Sequence, residues 1–433
     1  MIGLIAIRRV APRRVVLITG VLAAVIMGDS MIYNVIPSNV STFGVSLGLV
    51  GVLLSANRVV RLASNLLAPW VVQRFGISKP VLVSAVLSIG TTAIFGVAHG
   101  FAALLVARIV WGACYSLMRL GGYLVVLEES SDRTRGRSMG FFGGGQRMGS
   151  FVGVLLGGIL FDAFGRTTSF LAIAGLGFLG LPASLALIRN PDSRVATEIQ
   201  TRELESYTLK DAHKCGRIRL WDLMISPVPE LKGHQRQQLL AVNFAFFSFH
   251  LVMSGTLVAT LGFYLSQRLE EDITIAGIVL GVATINGFLL ATRWMFDVAS
   301  PYLGYLGDRV GQQKIPLFAL PICAGALFLM AFKASLWLTL SWLPFAFVAS
   351  AASYTSLSVL AGGLSPAYRR AQVMSRHATW QDVGSASGPL LSYAVLVYLS
   401  LELVYLVGAL FMLLALGFVA TSFRPHTFWK PVE

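Results

Sequence analysis

Long apolar stretches recur from one end of the chain to the other, with short polar connections between them. A helix of about 20 apolar residues crosses the hydrocarbon core of a bilayer. The predicted spans are residues 15–37, 47–72, 79–97, 101–127, 138–161, 168–188, 238–266, 274–300, 315–332, 336–362, 374–399 and 401–423. The pattern predicts an all-α polytopic membrane protein with twelve transmembrane helices. Its six-helix bundles are residues 1–189 and 238–433, joined by a central cytoplasmic loop at 190–237.

Composition supports this class and excludes several others. Of the 433 residues, 55% are hydrophobic and 12% are charged, whereas about a quarter of a soluble domain is charged. The isolated cysteines Cys114, Cys215 and Cys323 predict neither a disulfide framework nor a zinc site. Gly143–Arg147 lacks the Gly-Lys-Ser/Thr ending of a phosphate-binding loop. We therefore expect no enzyme activity, no cofactor and no metal.

Basic residues indicate the orientation. If both termini are cytoplasmic, the inner segments hold 25 of the 34 Lys and Arg residues, and the outer loops hold only Arg166, Arg268 and Lys333. The net charge of +14 is then explained by membrane topology and does not require a nucleic-acid partner. We expect a multi-pass protein of a bacterial-type inner membrane that functions as a monomer in the lipid bilayer.

Six arginines fall inside the predicted spans: Arg58, Arg61, Arg108, Arg119, Arg147 and Arg293. An arginine near the bilayer centre costs about 2.5–3.5 kcal/mol on insertion scales. Such residues are retained where they face a wet cavity or a counter-charge, so they are the first candidates for function.

The two halves repeat at an offset of 235 residues. Matching pairs include Arg58 with Arg293, Arg74 with Arg309, Gly76 with Gly311, Met139 with Met374, Gln146 with Gln381, Gly149 with Gly384, Ser150 with Ser385 and Gly153 with Gly388. A duplicated six-helix unit with a binding site between its halves is typical of secondary transporters.

Motifs at these repeated positions resemble the major facilitator superfamily over nearly the whole chain. The segment from Gly304 to Gly311, with Asp308 and Arg309, matches the loop signature G-x-x-x-D-R-x-G. Its first-half counterpart keeps Arg74, Gly76 and Lys79 but has Pro69 and Gln73 at the usual Gly and Asp positions. The resemblance implies the family's two-bundle fold, and a conformational role for these loops.

Two helix motifs extend the resemblance. Glycines at 149, 153, 157 and 158 look like the family's antiporter motif, with Val154 replacing its proline, and the eleventh span carries Gly384, Gly388 and Pro389. We interpret these residues as a helix-packing motif. Arg108-Ile-Val-Trp111-Gly112 resembles the fourth-helix pattern R-x-x-Q-G, with Trp111 replacing Gln.

Asp29 and Arg108 are the candidates for proton coupling. Asp29 lies about eight residues and Arg108 about seven residues from the outer ends of the first and fourth spans, so their depths match at ~1.5 Å per residue. A buried carboxylate beside a movable cation can exchange a proton as the pair opens and closes. The alternative is a permanent structural ion pair.

The symmetric arginines Arg58 and Arg293 are the main substrate-binding candidates. Two cations in one cavity favour an anionic solute. Polar or stacking contacts could come from Tyr33, Asn34, Asn57, Gln146, Gln381 and Trp380. The alternatives are hydrogen bonds from the arginines to helix carbonyls, and a helix-packing role for the amides.

These observations lead to one functional hypothesis and two rivals. The hypothesis is a proton-coupled carrier of a small anionic or amphipathic organic solute that works by alternating access, with export favoured. The first rival is an importer of small organic anions. The second is a transport-inactive receptor or scaffold on the same fold.

Arg61 with Asp382, and Arg147 with Asp297, are predicted to be gating ion pairs, because family packing joins their helices at matched depth. The alternatives are partners within the same half or snorkelling to the interface.

Asp382→Asn should leave Arg61 uncompensated, at a cost of about 3–5 kcal/mol in the outward-facing state. A cysteine at position 145 should then become more accessible from the cytoplasm.

The charge swap of Arg61→Asp with Asp382→Arg should restore that accessibility in part. Unchanged accessibility of the cysteine in Asp382→Asn would contradict a gating role.

Overall fold

The computed structural model describes residues 11–189, 233–269, 273–275, 278–365 and 370–423. Most of the predicted central loop and both chain ends lie outside the described residues, as do Cys215 and the acidic residues 270–272.

The first half of the chain is helical throughout its described part. Its helices are α1 (Arg13–Ser38), α2 (Leu47–Phe75), α3 (Ser78–Val97), α4 (Phe101–Glu129), α5 (Asp132–Gly177) and α6 (Leu181–Arg189), with 3-10 turns at Val40–Phe43 and Phe178–Gly180. α5 contains the fifth predicted span and the start of the sixth. Gly165 interrupts it with a φ of 73°, in the left-handed region that favours glycine.

The second half begins with α7 (Gly233–Phe249), the π-helix His250–Leu257 and α8 (Val258–Arg268), which follow one another without a gap. A short hairpin of β1 (Ile273–Ile275) and β2 (Ile278–Leu280) comes next. The remaining helices are α9 (Val282–Val298), α10 (Ser300–Val310), α11 (Lys314–Ala331), α12 (Leu336–Gly363), α13 (Arg370–Leu396) and α14 (Leu401–Ser422).

The hairpin corrects one predicted boundary. The eighth span was expected to begin at residue 274, but β1 pairs antiparallel with β2 there, with Ile273 opposite Leu280, and the helix begins at Val282. Ile273, Thr274, Ile275 and Val279 are β-branched, and such residues favour extended backbone. The apolar run is therefore continuous in sequence but changes its secondary structure.

The predicted membrane-spanning architecture is confirmed. Nine stretches within the described residues are long and apolar enough to cross a membrane, and one of them, Arg137–Ile188, holds two predicted spans. The eighth and eleventh predicted spans correspond to the 17-residue α9 and to α13, which carries Arg376 and Asp382.

Contacts divide the chain into two compact units. The first consists of Met1–Ser46, Ala56–Arg217 and Leu269–Trp294, and the second of Leu47–Ser55, Ile218–Arg268 and Met295–Glu433. The first turns of α2 therefore group with the second unit, and most of α9 groups with the first.

In the first unit, α1 and α5 pack with their backbones in close approach. A Cβ added to Gly149 or Gly153 would overlap the carbonyl of Ala23 or Met27, and one added to Gly157 would lie 2.5 Å from Met31 Cγ. Small residues at four-residue spacing permit this approach because they remove the side chains from the contact. Gly158 extends the stripe to the carbonyl of Ala283 on α9.

The second unit repeats this packing between α13 and the helix formed by α7 and the π-helix. A Cβ on Gly384 would lie 2.7 Å from the carbonyl oxygen of Phe247, and one on Gly388 would overlap the carbonyl of Leu251. The partners of the two stripes, Ala23 and Phe247, differ by 224 residues, whereas the glycines differ by 235. The duplication thus includes the first helix of each half, at a shifted register. One residue beyond Gly388, the carbonyl of Pro389 faces Gly51.

Candidate functional site

An ion pair between α1 and α4 is the centre of the candidate site. Nη1 of Arg108 donates to Oδ1 of Asp29. The Arg108 side chain is 1% exposed and that of Asp29 is 13% exposed. The structure thus brings together the two residues that the sequence predicts to pair.

Asn57 holds the carboxylate, Tyr33 supports Asn57, and the Tyr33 ring lies beside the arginine. Asn57 Nδ2 donates to Asp29 Oδ1 at 3.2 Å, and the Tyr33 hydroxyl donates to Asn57 Oδ1 at 3.2 Å. The guanidinium carbons of Arg58 and Arg108 lie 5.0 and 5.1 Å from the centroid of the Tyr33 ring. Both distances permit a cation–π interaction. We call Asp29, Tyr33, Asn57, Arg58 and Arg108 the Asp29 cluster.

Gly112 explains why Asn57 reaches this cluster. A Cβ on Gly112 would lie 2.6 Å from the carbonyl oxygen of Asn57 and 2.9 Å from its Cα. Because this position has no side chain, the backbones of α2 and α4 approach closely. The glycine that follows Arg108 in the family-like motif therefore sets the distance of Asn57 from the ion pair.

A second group of aromatic and basic side chains lies further along α4. The Tyr115 ring stacks on Trp111 with a centroid distance of 5.1 Å and an interplanar angle of 14°. The guanidinium carbons of Arg61 and Arg119 lie 4.9 and 5.8 Å from the Tyr115 centroid. The Tyr115 hydroxyl donates to Gln146 Oε1 at 3.1 Å. We call these five residues the Tyr115 cluster.

Sequence reasoning assigned no role to Tyr115, and noted Trp111 only as a departure from a motif. The available signal was the spacing of residues 108, 111, 115 and 119, which places them on one face of α4. Gln146, predicted to bind substrate, belongs to this cluster and not to the Asp29 cluster.

Asn34, another predicted substrate contact, holds helices together. Its Nδ2 donates to the backbone carbonyls of Val154 at 2.8 Å and Ala283 at 3.0 Å. The backbone carbonyl of Asn34 accepts from Asn286 Nδ2 at 3.0 Å. Asn34 is fully buried. These contacts favour the packing role that the sequence left open for the amides.

The remaining substrate candidates are Arg293, Trp380 and Gln381. Arg293 is 8% exposed, and its guanidinium carbon lies 5.0 Å from the Trp294 ring centroid. Trp380 and Gln381 belong to the second unit, where Trp380 makes an edge-on contact with Phe247 at 5.8 Å. Their contribution to one common binding site stays a prediction.

The gating pairs also stay predictions. Arg61 and Arg147 belong to the first unit, and Asp382 and Asp297 to the second.

The loop motif of the second half is organised by Gln312. Its Nε2 donates to Asp308 Oδ1 at 2.7 Å and to the Gly304 carbonyl at 3.3 Å. Arg309 lies over Tyr305, 4.5 Å from the ring centroid.

Both loop motifs end a helix at a glycine. Gly311 follows α10 with a φ of 103°, and Gly76 follows α2 with a φ of 75°. These left-handed values explain why the repeat has glycine at both positions. Arg74, next to the first of these ends, lies 5.9 Å from the Phe75 centroid.

Two structurally repeated helical halves, with a charged site inside membrane-spanning helices, are typical of secondary transporters. The chain belongs to the Major Facilitator Superfamily, because the sequence profile of that family matches residues 18–301 and 294–432. It has the multi-pass membrane fold of this transporter family.

Curated relatives include vesicular and drug transporters. The synaptic vesicular amine transporter of Rattus norvegicus is 28% identical over 185 residues, which are 41% of this chain and 36% of that protein. The alignment thus spans about a third of the vesicular protein. The multidrug resistance protein MdtG of Enterobacter lignolyticus (strain SCF1) is 24% identical over 323 residues, which are 70% of this chain and 67% of MdtG.

Solved structures with the same fold cover nearly the whole chain. A bacterial homologue of the human lysosomal transporter Spinster, in an inward-facing and occupied conformation, superposes with a TM-score of 0.70 at 14% identity over 96% of this chain and 98% of that one. A peptide transporter of the POT family in complex with sulfate has a TM-score of 0.70 at 15% identity, over 94% and 93% of the two chains. At these identities the similarity shows the fold alone.

The ion pair predicts a strong energetic coupling between its members. Removing one partner of a buried pair costs about 3–5 kcal/mol, because the other charge is left uncompensated. Asp29→Asn and Arg108→Gln should each lower the stability of the purified protein by this order. The double variant should lose much less than the sum. Thermal unfolding in detergent measures all three.

The pair Lys333 and Glu402 is the matched control. Its side chains are 65% and 30% exposed, and exposed pairs contribute only about 0–1 kcal/mol. Glu402→Gln should therefore barely change the unfolding temperature. Additive losses in the Asp29 and Arg108 double variant would contradict the coupling.

Proposed function

We propose that this chain is a proton-coupled exporter of a small amphipathic organic solute with an acidic group, working by alternating access. The observation that carries the proposal is the Asp29–Arg108 ion pair, buried between two membrane-spanning helices. A charge pair in this environment is costly to maintain, and intramembrane ionisable residues are commonly part of ion or substrate pathways.

The coupling step uses the competition between Arg108 and a proton for the same carboxylate. While Arg108 contacts Asp29, the cation stabilises the ionised form. When Arg108 withdraws, desolvation favours the neutral acid, and Asp29 takes up a proton on a carboxylate oxygen. Asn57 can keep its hydrogen bond to Oδ1 throughout. It thereby holds the side chain in place in both states.

Arg58 is a second cation in the Asp29 cluster. Its guanidinium carbon lies 5.0 Å from the centroid of the Tyr33 ring, which Arg108 also contacts. Within our proposal, Arg58 and Arg293 bind the acidic group of the solute, and Tyr33, Trp380 and Gln381 contact its remaining parts. The Arg61–Asp382 and Arg147–Asp297 pairs close the cytoplasmic side in the outward-facing state.

Export is favoured by two features. The glycine stripe of α5 resembles the family's antiporter motif, and the relative MdtG is called a multidrug resistance protein. The proposal includes the orientation predicted from the basic residues, with both termini in the cytoplasm of a bacterial-type cell.

A second candidate substrate class is an organic cation. The observation that favours it is a chain of hydrogen bonds that links the Asp29 carboxylate through Asn57 to the hydroxyl group of Tyr33. A carboxylate with a nearby aromatic face suits a protonated amine. One relative is an amine transporter by name.

Three naphthalene probes of different charge decide between the classes. Proteoliposomes that enclose a pH-sensitive dye would be exposed to gradients of 1-naphthoate, 1-naphthylmethylamine or 1-naphthamide. We expect 1-naphthoate to drive proton movement. Asp29→Asn should abolish this proton movement but keep the exchange of labelled for unlabelled 1-naphthoate. Glu402→Gln, which removes a surface carboxylate, should behave like the parent.

Proton movement driven by the amine alone would replace the acidic solute with the cationic class. Proton movement in Asp29→Asn equal to that in the parent would contradict the coupling role of Asp29. Absence of flux with all three probes would contradict the proposed function as stated.

A further inference from the structure

A polar network joins α1 and α5 to the start of α9. Asp162 Oδ2, on α5, accepts a hydrogen bond from the backbone N–H of Thr284 in the first turn of α9, at 2.7 Å. Asn34, on α1, donates to the backbone carbonyl of Ala283 at 3.0 Å, and its own backbone carbonyl accepts from Asn286 at 3.0 Å. We call Asn34, Asp162, Thr284 and Asn286 the α9 latch. All four belong to the first compact unit.

The α9 latch lies on one side of the membrane and joins the two halves of the repeat. Asn34 is in the last turns of α1, Asp162 precedes the break at Gly165, and α9 begins at Val282. With cytoplasmic termini, this is the outer side. Helices α1 and α5 come from the first half of the repeat, whereas α9 comes from the second half. The latch therefore joins halves that a carrier separates when it opens outward.

The helix backbones approach closely at the latch. A Cβ on Gly158 of α5 would overlap the backbone carbonyl of Ala283 on α9. A Cβ on Gly287 of α9 would lie 2.6 Å from the carbonyl oxygen of Val154 on α5. Glycine on both sides of a contact lets two membrane helices meet backbone to backbone. The latch side chains thus join helices that already fit together.

The second compact unit contains a related contact. A Cβ on Gly51, in the first turns of α2, would lie 2.5 Å from the carbonyl oxygen of Pro389 on α13. Pro389 and Val154 are separated by the repeat offset of 235 residues, and Gly51 and Gly287 by 236. In each unit, therefore, a helix that begins on the outer side in one half packs on a helix of the other half.

The carboxylate of the latch has no equivalent at the related contact. The repeat position of Asp162 in the second half is Val397. A carboxylate at the start of a helix accepts from a backbone N–H and is stabilised by the helix dipole. We propose that the α9 latch holds the outer side of this protein closed, and that it breaks when the outer side opens.

The network differs from permanent packing in two ways. The side-chain oxygens of Asn34 and Asn286 accept no hydrogen bond from a described residue, although both side chains are fully buried. Burial of such an acceptor disfavours the closed state, and contact with water on opening removes this cost. Asp162 is exposed at the edge of the contact, so water can compete with the N–H of Thr284. The latch therefore stabilises closure but leaves it reversible.

The test measures a distance across the outer side of the purified full-length protein, without substrate or gradient. Nitroxide labels would be attached to Ser41→Cys and Ser335→Cys after all native cysteines are replaced by serine. Both serines are exposed in predicted outer loops, and neither belongs to the latch. Pulsed electron paramagnetic resonance then gives the ratio of long to short distances, which reports the ratio of open to closed molecules.

Three variants should open the outer side. Asn34→Ala removes the hydrogen bonds that this side chain donates, and Asp162→Ala removes the acceptor for the Thr284 N–H. Each should raise the ratio of open to closed molecules by about tenfold or more. Gly158→Ala should act in the same direction, because its methyl group would overlap the carbonyl of Ala283.

Two matched changes on the same helices are the controls. Asn39 Nδ2 donates to Val35 and Ser38, which both belong to α1, so Asn39→Ala should leave the ratio unchanged. An added Cβ on Gly144, elsewhere on α5, meets nothing within 4 Å. Gly144→Ala should therefore also behave like the parent. Thermal unfolding identifies any variant that misfolds, and Asn34→Ala and Asp162→Ala only shorten a side chain if Gly158→Ala does not fold.

Parent-like distances in both Asn34→Ala and Asp162→Ala would overturn the latch, whatever solute the protein moves. An equal shift in Asn39→Ala would assign the effect to general loosening of α1 and would also contradict it. A selective shift in the latch variants, without proton movement driven by any naphthalene probe in the parent, would support the latch and contradict the proposed function.

Discussion

The burial of Arg108 against Asp29 is the constraint to which the surrounding structure is fitted. A guanidinium inside an apolar helix bundle is stable only if its charge is compensated and its donors are used. Gly112 allows α2 to approach α4, so that Asn57 reaches the carboxylate. Tyr33 then packs its ring against Arg108 and directs its hydroxyl to Asn57. Each of these contacts supports the ion pair.

The same face of α4 carries similar residue types in two arrangements. In the Asp29 cluster, two arginines and an aromatic ring lie near a carboxylate, and one of the arginines pairs with it, so the local charge is partly neutralised. In the Tyr115 cluster, two arginines lie over the Tyr115 ring, which stacks on Trp111. The first arrangement suits a proton that competes with a cation for the carboxylate.

Residue spacing along the chain was enough to predict the ion pair but not the stacking of Trp111 on Tyr115. Counting residues from the outer ends of two spans placed Asp29 and Arg108 at one depth, because helix rise is constant. In an apolar helix, Trp111 and Tyr115 are consistent with an ordinary packing role. Their stacking depends on side-chain directions, which residue spacing does not provide. Asn34 binds helix carbonyls, and residue spacing could not separate this packing role from the substrate contact that was also predicted for it. The strands Ile273–Ile275 and Ile278–Leu280 were not predicted, because a continuous apolar run has no periodicity that separates strand from helix.

The central claim is that Asp29 accepts a proton when Arg108 no longer compensates it. Infrared difference spectra of the purified protein, recorded on acidification from alkaline pH, detect the carbonyl band of a protonated carboxyl group. Subtracting the spectrum of Asp29→Asn from that of the parent isolates the contribution of Asp29. The account predicts a carboxylic-acid band in this subtraction, and its appearance at a higher pH when both proteins also carry Arg108→Gln. Identical spectra for the parent and Asp29→Asn, with or without Arg108, would contradict it.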